Sequence, residues 1–184
     1  MLNRQELSEL PLILLGGPRY KLDLPIAYTV VPQEGGHTYG CTQSHLLGAQ
    51  KALEFDSPVL LLEDDALFIN GQHFNGIVYP DDADVLWLGR SVNEYEGIKT
   101  PQILEFDGNW ARIIGTCQAS HAIILCTTKA KRAWIKLCNE SLQGKLPPHT
   151  DIAVSQGGHE IIKQYVSRYP YFYQPQYPET LIPL

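Results

Sequence analysis

The segment 58–68, PVLLLEDDALF, constrains this chain more than any other. Five residues that suit an interior, Pro58, Val59, Leu60, Leu61 and Leu62, run straight into Glu63, Asp64 and Asp65. Ala66, Leu67 and Phe68 follow at once. Acids set between two apolar runs do not form a solvated charged face. They mark a buried strand that delivers carboxylates to its own end. In open α/β sheets, ligands bind in the crevice beyond the carboxyl ends of the strands. Glu63, Asp64 and Asp65 are therefore the expected chemical centre.

The flanking chain supports a sheet around that strand. Residues 12–15 form a short apolar run stopped by Gly16-Gly17-Pro18. Residues 26–31, IAYTVV, are β-rich and end at Pro32. Ten residues separate these two strands, whereas a parallel crossover takes a dozen or more. An antiparallel turn or an abbreviated unit is expected there. A glycine-rich loop over 33–41 leads to Thr42, which suits the cap of a helix to about Phe55, with Leu46, Ala49, Gln50 and Leu53 at helical spacing. Residues 70–82 read as polar loop and 84–88, DVLWL, as a strand. A polar loop spans 91–101, and 103–106 with 110–114 form a hairpin about Asp107-Gly108-Asn109.

Residues 122–125 read as another buried strand. Thr127 or Thr128 then caps a helix to about Leu142. Its apolar stripe is Ala130, Trp134, Leu137, Cys138 and Leu142, with Lys129, Lys131, Arg132 and Lys136 on the other side. A short helix opens at Thr150-Asp151 and ends at Gly157-Gly158, and 161–166 form a last strand. The tail 167–184, with four tyrosines and four prolines, is expected to be extended and packed on the body. Alternating strands and helices interrupted by a hairpin predict an α/β fold with a mostly parallel sheet, helices on both faces and an antiparallel portion. The 184 residues, 44% of them hydrophobic, suffice for a single compact domain over 1–184.

Composition excludes some classes of partner. A net charge of −6 disfavours nucleic acid, whose phosphates need a basic surface. No apolar run reaches the roughly 20 residues of a membrane span, and the first residues lack the pattern of a signal peptide. Cys41, Cys117, Cys126 and Cys138 are scattered, without a CxxC pair, which suits reduced thiols. A cytoplasmic location is the expectation.

The segment GCTQSHLLGAQKALEFDSPVLLLEDDALF resembles the signature block of glycosyltransferase family 25, which includes lipooligosaccharide-biosynthesis and collagen galactosyltransferases. The matching residues are Gly40, Cys41, Ser44, His45 and the Leu-Glu-Asp-Asp that ends at Asp65. Residues 83–89, ADVLWLG, resemble the family's Asp-(apolar)-Leu-Gly strand, and Gly115-Thr116 its Gly-Thr segment, with His121 or a neighbour where an aromatic is usual. Pro148 to Asp151 and Tyr169-Pro170 with Gln174 resemble its later motifs. The family chain is usually longer, with a full strand–helix unit at its start; the spacing between the first two strands here is too short for that helix.

The resemblance implies a GT-A-like fold and transfer of galactose or a similar hexose from a nucleotide-diphosphate sugar. A UDP-sugar is the expected donor and a hydroxyl of a glycan or other molecule the acceptor. It also implies a divalent metal, Mn2+ or Mg2+, held by carboxylates. Asp65 ranks first as metal ligand, with Glu63 and His159 as further ligands. In an extended strand Glu63 and Asp65 face one way and Asp64 the other, though a turn at Asp64 would change this. Asp151 is a candidate base for the acceptor hydroxyl, and Asp64 a second catalytic carboxylate. Ser44, His45, Arg90 and Glu63 are candidate donor-binding residues, Ser44 and His45 as part of a helix N-terminus and Arg90 by bidentate phosphate contact. Tyr169, Tyr171, Tyr173 and Trp110 are candidates for stacking on sugar rings. Two alternatives remain open: a carbohydrate-binding or scaffold relative without donor binding, and a metal-dependent phosphoesterase on the same carboxylates.

Overall fold

A computed structural model of the protein describes residues 2–16, 28–31, 37–69, 76–89 and 102–174. The strands in chain order are β1 (Leu2–Gln5), β2 (Leu12–Leu15), β3 (Tyr28–Val31), β4 (Val59–Glu63), β5 (Leu67–Phe68), β6 (Ile77–Pro80), β7 (Val85–Trp87), β8 (Trp110–Arg112), β9 (Ala122–Leu125), β10 (Gln164–Ser167) and β11 (Phe172–Tyr173). Among the described residues three α-helices join them: α1 (His37–Ala52), α2 (Thr128–Leu142) and α3 (Thr150–Gly158).

The main sheet has seven strands in the order β3-β2-β4-β9-β7-β10-β8. Strand β2 runs parallel to both β3 and β4, and β7 parallel to β10, while β9 and β8 run antiparallel to their neighbours. Five of the seven strands thus point one way, and the α/β, mixed and mostly parallel sheet matches the expectation. Strands β2 and β3 run parallel, so the antiparallel turn is ruled out; residues 17–27 between them lie outside the described residues.

Strand β4 is buried on both faces, which is why it reads as an unbroken apolar run. Val59 and Leu61 face one core, with Trp87, Ile123, Trp134 and Val154. Leu60 and Leu62 face a second, with Leu7, Tyr79, Trp110 and Phe172. Side chains from α1, α2 and α3 all join the first core. The second is covered by the β1–β6 ribbon, the 3-10 turn at Leu7–Glu9 and β11. Helices on both faces were expected; among the described residues the α-helices lie on one face.

Further local differences have physical causes. Helix α1 begins at His37, not Thr42, so it absorbs much of the predicted glycine-rich loop. At Gly48 an added Cβ would lie 2.6 Å from Leu15 Cδ2, so the leucine would have to shift to admit it. Strands β1 and β6 pair with each other away from the main sheet; β1 is hidden by its polar sequence, and β6 is a four-residue strand within the segment read as polar loop. The hairpin exists, but only Trp110–Arg112 is regular strand on its second arm, and isolated bridges join Ile103 to Ile113 and Asp107 to Trp110. The last main-sheet strand begins at Gln164, because Ile161 and Ile162 still bond back to Gly158.

Helix α2 is capped by Thr127, whose hydroxyl accepts from the Ala130 N–H at 3.0 Å. Lys131, expected on its outer side, is 1% exposed. Its ammonium donates to the carbonyls of Phe55 (2.6 Å) and Ser57 (2.9 Å), closing the chain that leaves α1 just before β4. Lys131→Met keeps the length but strands both carbonyls. It should cost roughly 2 kcal/mol or more in urea unfolding; a loss within experimental error would show that the contact is dispensable.

Candidate active site

Strand β4 ends at Glu63 and the chain turns at once, with the Ala66 N–H bonded to the Glu63 carbonyl at 3.0 Å. Glu63 Oε1 lies 2.9 Å from His45 Nε2 and accepts a weak Cys41 S–H contact at 3.7 Å. Burial alone would raise the Glu63 carboxyl. The His45 hydrogen bond and the nearby imidazoles of His45 and His121 outweigh it and leave the group below its usual value. Glu63 is thus held as a carboxylate.

Gln174 binds the same acids from the other end of the chain. Its Nε2 donates to Glu63 Oε2 at 3.2 Å and to Asp65 Oδ1 at 3.0 Å. Strand β11 makes this contact possible by pairing with β5, Tyr173 opposite Leu67, so Gln174 falls beside the acid turn. The tail is held there by His121, whose Nε2–H donates to the Phe172 carbonyl at 3.2 Å. Gly89 is required under that ring, since a Cβ would stand 1.9 Å from His121 Nε2.

These groups line a cavity of about 150 Å³, whose wall includes Cys41, Glu63, Asp65, Ser120, Asp151 and Gln174. Asp151 sits in the first turn of α3. Its carboxylate accepts the Ala119 N–H and its neighbour Ile152's N–H, both at 2.8 Å. Burial raises its pKa above the ordinary aspartate value, the two N–H bonds oppose this, and Glu63 adds to the rise. Ala119 reaches it with a φ of 67°, a left-handed backbone costly for alanine. The loop bearing Ala119 is tied to α3 by Ser155 and Gln156, which bond Cys117 and Thr116. Helix α1 is tied to the start of α3 by Thr42, whose hydroxyl, expected as a cap, donates to the Pro148 carbonyl and accepts from Thr150.

The structure sorts the candidate residues. Glu63, Asp65 and Asp151 meet at one cavity. His45 is fully buried and contacts Glu63, so it positions that acid. Ser44 is buried and its hydroxyl donates back to the Gly40 carbonyl at 2.8 Å, so it is no helix-end anion ligand. Both lie beyond the first turn of α1 because the helix starts earlier than expected. Asp64 is turned away from the cavity against Gly16, where an added Cβ would meet its carboxyl carbon at 2.9 Å; a catalytic role for Asp64 is not supported. His159 caps the far end of α3, roughly 12 Å along the helix from Asp151, with Nδ1 bonded to the Gln156 carbonyl; it does not join the acids. Arg90 lies outside the described residues. Trp110 is 4% exposed, with its indole N–H on the Val78 carbonyl and its ring stacked on Tyr171, so both aromatics serve the second core. Tyr169 and Tyr173 are not in the cavity wall.

Two donor sets for a cation share Glu63. One is oxygen only, Glu63 with Asp65. The other is Cys41, His45 and Glu63, whose ligand atoms lie within 4.8 Å of one another. The second is disfavoured on two grounds. Burial, with Glu63 and Asp151 nearby, holds the Cys41 thiol well above the usual thiol range while no metal is bound, so a metal there would have to displace that proton. His45 Nδ1 has no partner among the described residues, so a metal on Nε2 would leave a buried N–H unpaired. The oxygen pair fits a hard cation of the Mn2+ or Mg2+ kind. Sequence reasoning missed Gln174 and Cys41 as site residues; their only signal was membership of the family-like segments.

No protein-family model matches the chain, and no curated protein matches it. Among solved structures, one similar chain is an apo UDP-glucose pyrophosphorylase, at a TM-score of 0.48 and 11% identity. The match takes in 81% of this chain and 59% of that one, so a large part of that enzyme has no counterpart here. Another is protein A197 from STIV, at a TM-score of 0.47 and 13% identity, covering 89% of this chain and 83% of that one.

Two outcomes test the geometry around Asp151. Ala119→Gly should stabilise the fold by roughly 0.5–1 kcal/mol in urea unfolding, through relief of the left-handed strain; a destabilised variant would mean that the methyl group matters more. An acid whose pKa rises on folding contributes stability at low pH that is lost as pH climbs through its folded value. Asp151→Asn should therefore gain on the unaltered protein as pH rises above the ordinary aspartate range, about pH 4. A flat stability difference above that range would contradict the raised Asp151.

Proposed function

We propose that the protein is a GT-A-like glycosyltransferase that moves a hexose from a nucleotide-diphosphate sugar, a UDP-sugar in the first instance, to a hydroxyl of a glycan or other acceptor with the help of a divalent cation. One observation carries the proposal. Segments that resemble family 25 in separate parts of the chain supply Cys41, Glu63, Asp65, Asp151 and Gln174, and these line a single cavity. At about 150 Å³ the cavity holds a reacting group and not a whole nucleotide sugar, whose pockets start near 300 Å³.

The roles follow from the environments. A hard divalent cation on Glu63 and Asp65 would offset the charge of the departing diphosphate. His45 holds Glu63 ionised and oriented for that task. Asp151, in the cavity wall and with its pKa raised by burial, suits a base that takes the acceptor's proton. As the acceptor oxygen bonds the anomeric carbon, its proton passes to Asp151, and the bond from that carbon to the diphosphate oxygen breaks with its electron pair leaving on the diphosphate. The short connection between parallel β2 and β3 favours one second reading, a carbohydrate-binding relative without donor turnover.

Calorimetric titration with uridine, guanosine and cytidine diphosphates, with and without Mn2+, tests the proposal. Uridine diphosphate should bind in a Mn2+-dependent way, and Asp65→Ala should weaken it at least about tenfold. Asp151→Asn should keep binding but lose roughly 10²–10⁴-fold in transfer rate. The enzyme proposal fails if no nucleotide binds with Mn2+ present and Asp65→Ala changes nothing; glycan binding without turnover would then favour the second reading.

A further inference from the structure

We infer that Gln174 is itself a cation ligand of this site, its side-chain amide reversing so that Oε1 joins Glu63 and Asp65 around the bound ion. The inference rests on the cation-assisted function proposed above and names a residue that function did not require. Gln174 is 8% exposed, and its Nε2 spends both hydrogens on carboxylates of two different residues, at 3.2 and 3.0 Å. An NH2 group with partial positive charge thus stands between two anionic oxygens, in the place a small cation would take. It also offsets their mutual repulsion beside a third carboxylate, Asp151, in the same cavity wall.

A cation arriving there repels the NH2 hydrogens and attracts the other end of the amide. Amide oxygens are ordinary ligands of hard cations. The terminal torsion of glutamine is broad and roughly two-fold, so a half-turn swaps nitrogen for oxygen without moving β11. The residue type is apt for both states. A glutamate would add a third repelling charge to the empty site, and a lysine would fill the place with a permanent ion pair. The backbone supplies the aim, since the β5–β11 register sets Gln174 beside the turn that carries Asp65.

The test is Mn2+ affinity of the whole chain, read by electron paramagnetic resonance of free Mn2+ and by calorimetry, with thermal melts to confirm folding. Gln174→Leu should weaken Mn2+ binding roughly tenfold or more. Gln174→Glu, which keeps an oxygen at the same reach, should restore binding to at least the unaltered level at neutral pH. Gln174→Lys should abolish it. If a folded Gln174→Leu protein binds Mn2+ as tightly as the unaltered chain, or Gln174→Glu loses as much as Gln174→Leu, the amide is only a spacer between acids. The inference is then overturned while metal-assisted transfer stands. If the unaltered chain takes up no Mn2+, the inference falls with the cation, and the nucleotide titration decides transfer separately.

Discussion

A carboxylate at the end of a fully buried strand cannot remain charged without partners, and the hydrogen bond from His45 to Glu63 is what makes that end of β4 possible. Without His45, the Oε1 oxygen of Glu63 would keep only the weak Cys41 S–H contact. The bond also sets the layout around it. His45 must come from a helix lying over β4, so α1 packs on that face of the sheet beside α2 and α3. The second carboxylate oxygen of Glu63 needs its own donor, and Gln174 brings it from a segment 111 residues away.

The two faces of the sheet divide the work. The helical face is held from end to end. Lys131 closes the exit of α1, Thr42 joins α1 to the start of α3, and Ser155 and Gln156 fasten the loop that carries Ala119. The opposite face is closed by chain with little regular structure, the β1–β6 ribbon and β11. Yet that face delivers Gln174 and, through the Phe172 carbonyl, the anchor of His121. One side of the cavity is therefore built on packed helices and the other on a short strand held by a few hydrogen bonds.

Within the cavity, Glu63 and Asp151 have environments that push their pKa values apart. Glu63 is drawn below the usual range by His45 and Asp151 raised by burial. Such a separation is the pattern by which one site keeps one acid as a permanent anion and another as a proton acceptor. The strain at Ala119 belongs to the same design, because its left-handed backbone aims an N–H at Asp151.

Much of this was legible in the residues alone, and the limits of legibility have a common cause. Strand β4, helix α2 with its Thr127 cap, and α3 from Thr150 to Gly158 announce themselves because burial and capping leave local, periodic marks. The acids 63–65 and Asp151 could be chosen as candidates for the same reason: carboxylates at an apolar strand's end and in a helix's first turn are local signals. The start of α1, the burial of Lys131 and the β1–β6 ribbon left no such mark, since each depends on a distant partner. The same holds for the site's membership. Asp64 and Asp65 are adjacent and chemically identical, and only the turn after Glu63 sends one against Gly16 and the other to Gln174. That a buried strand ends in carboxylates within an α/β sheet could be read from the residues, because apolar patterning and charge are properties of the local chain. Which carboxylates share a cavity, and which side chains hold them, was decided only by the tertiary structure, because those contacts join residues as far as 111 positions apart that no local pattern links.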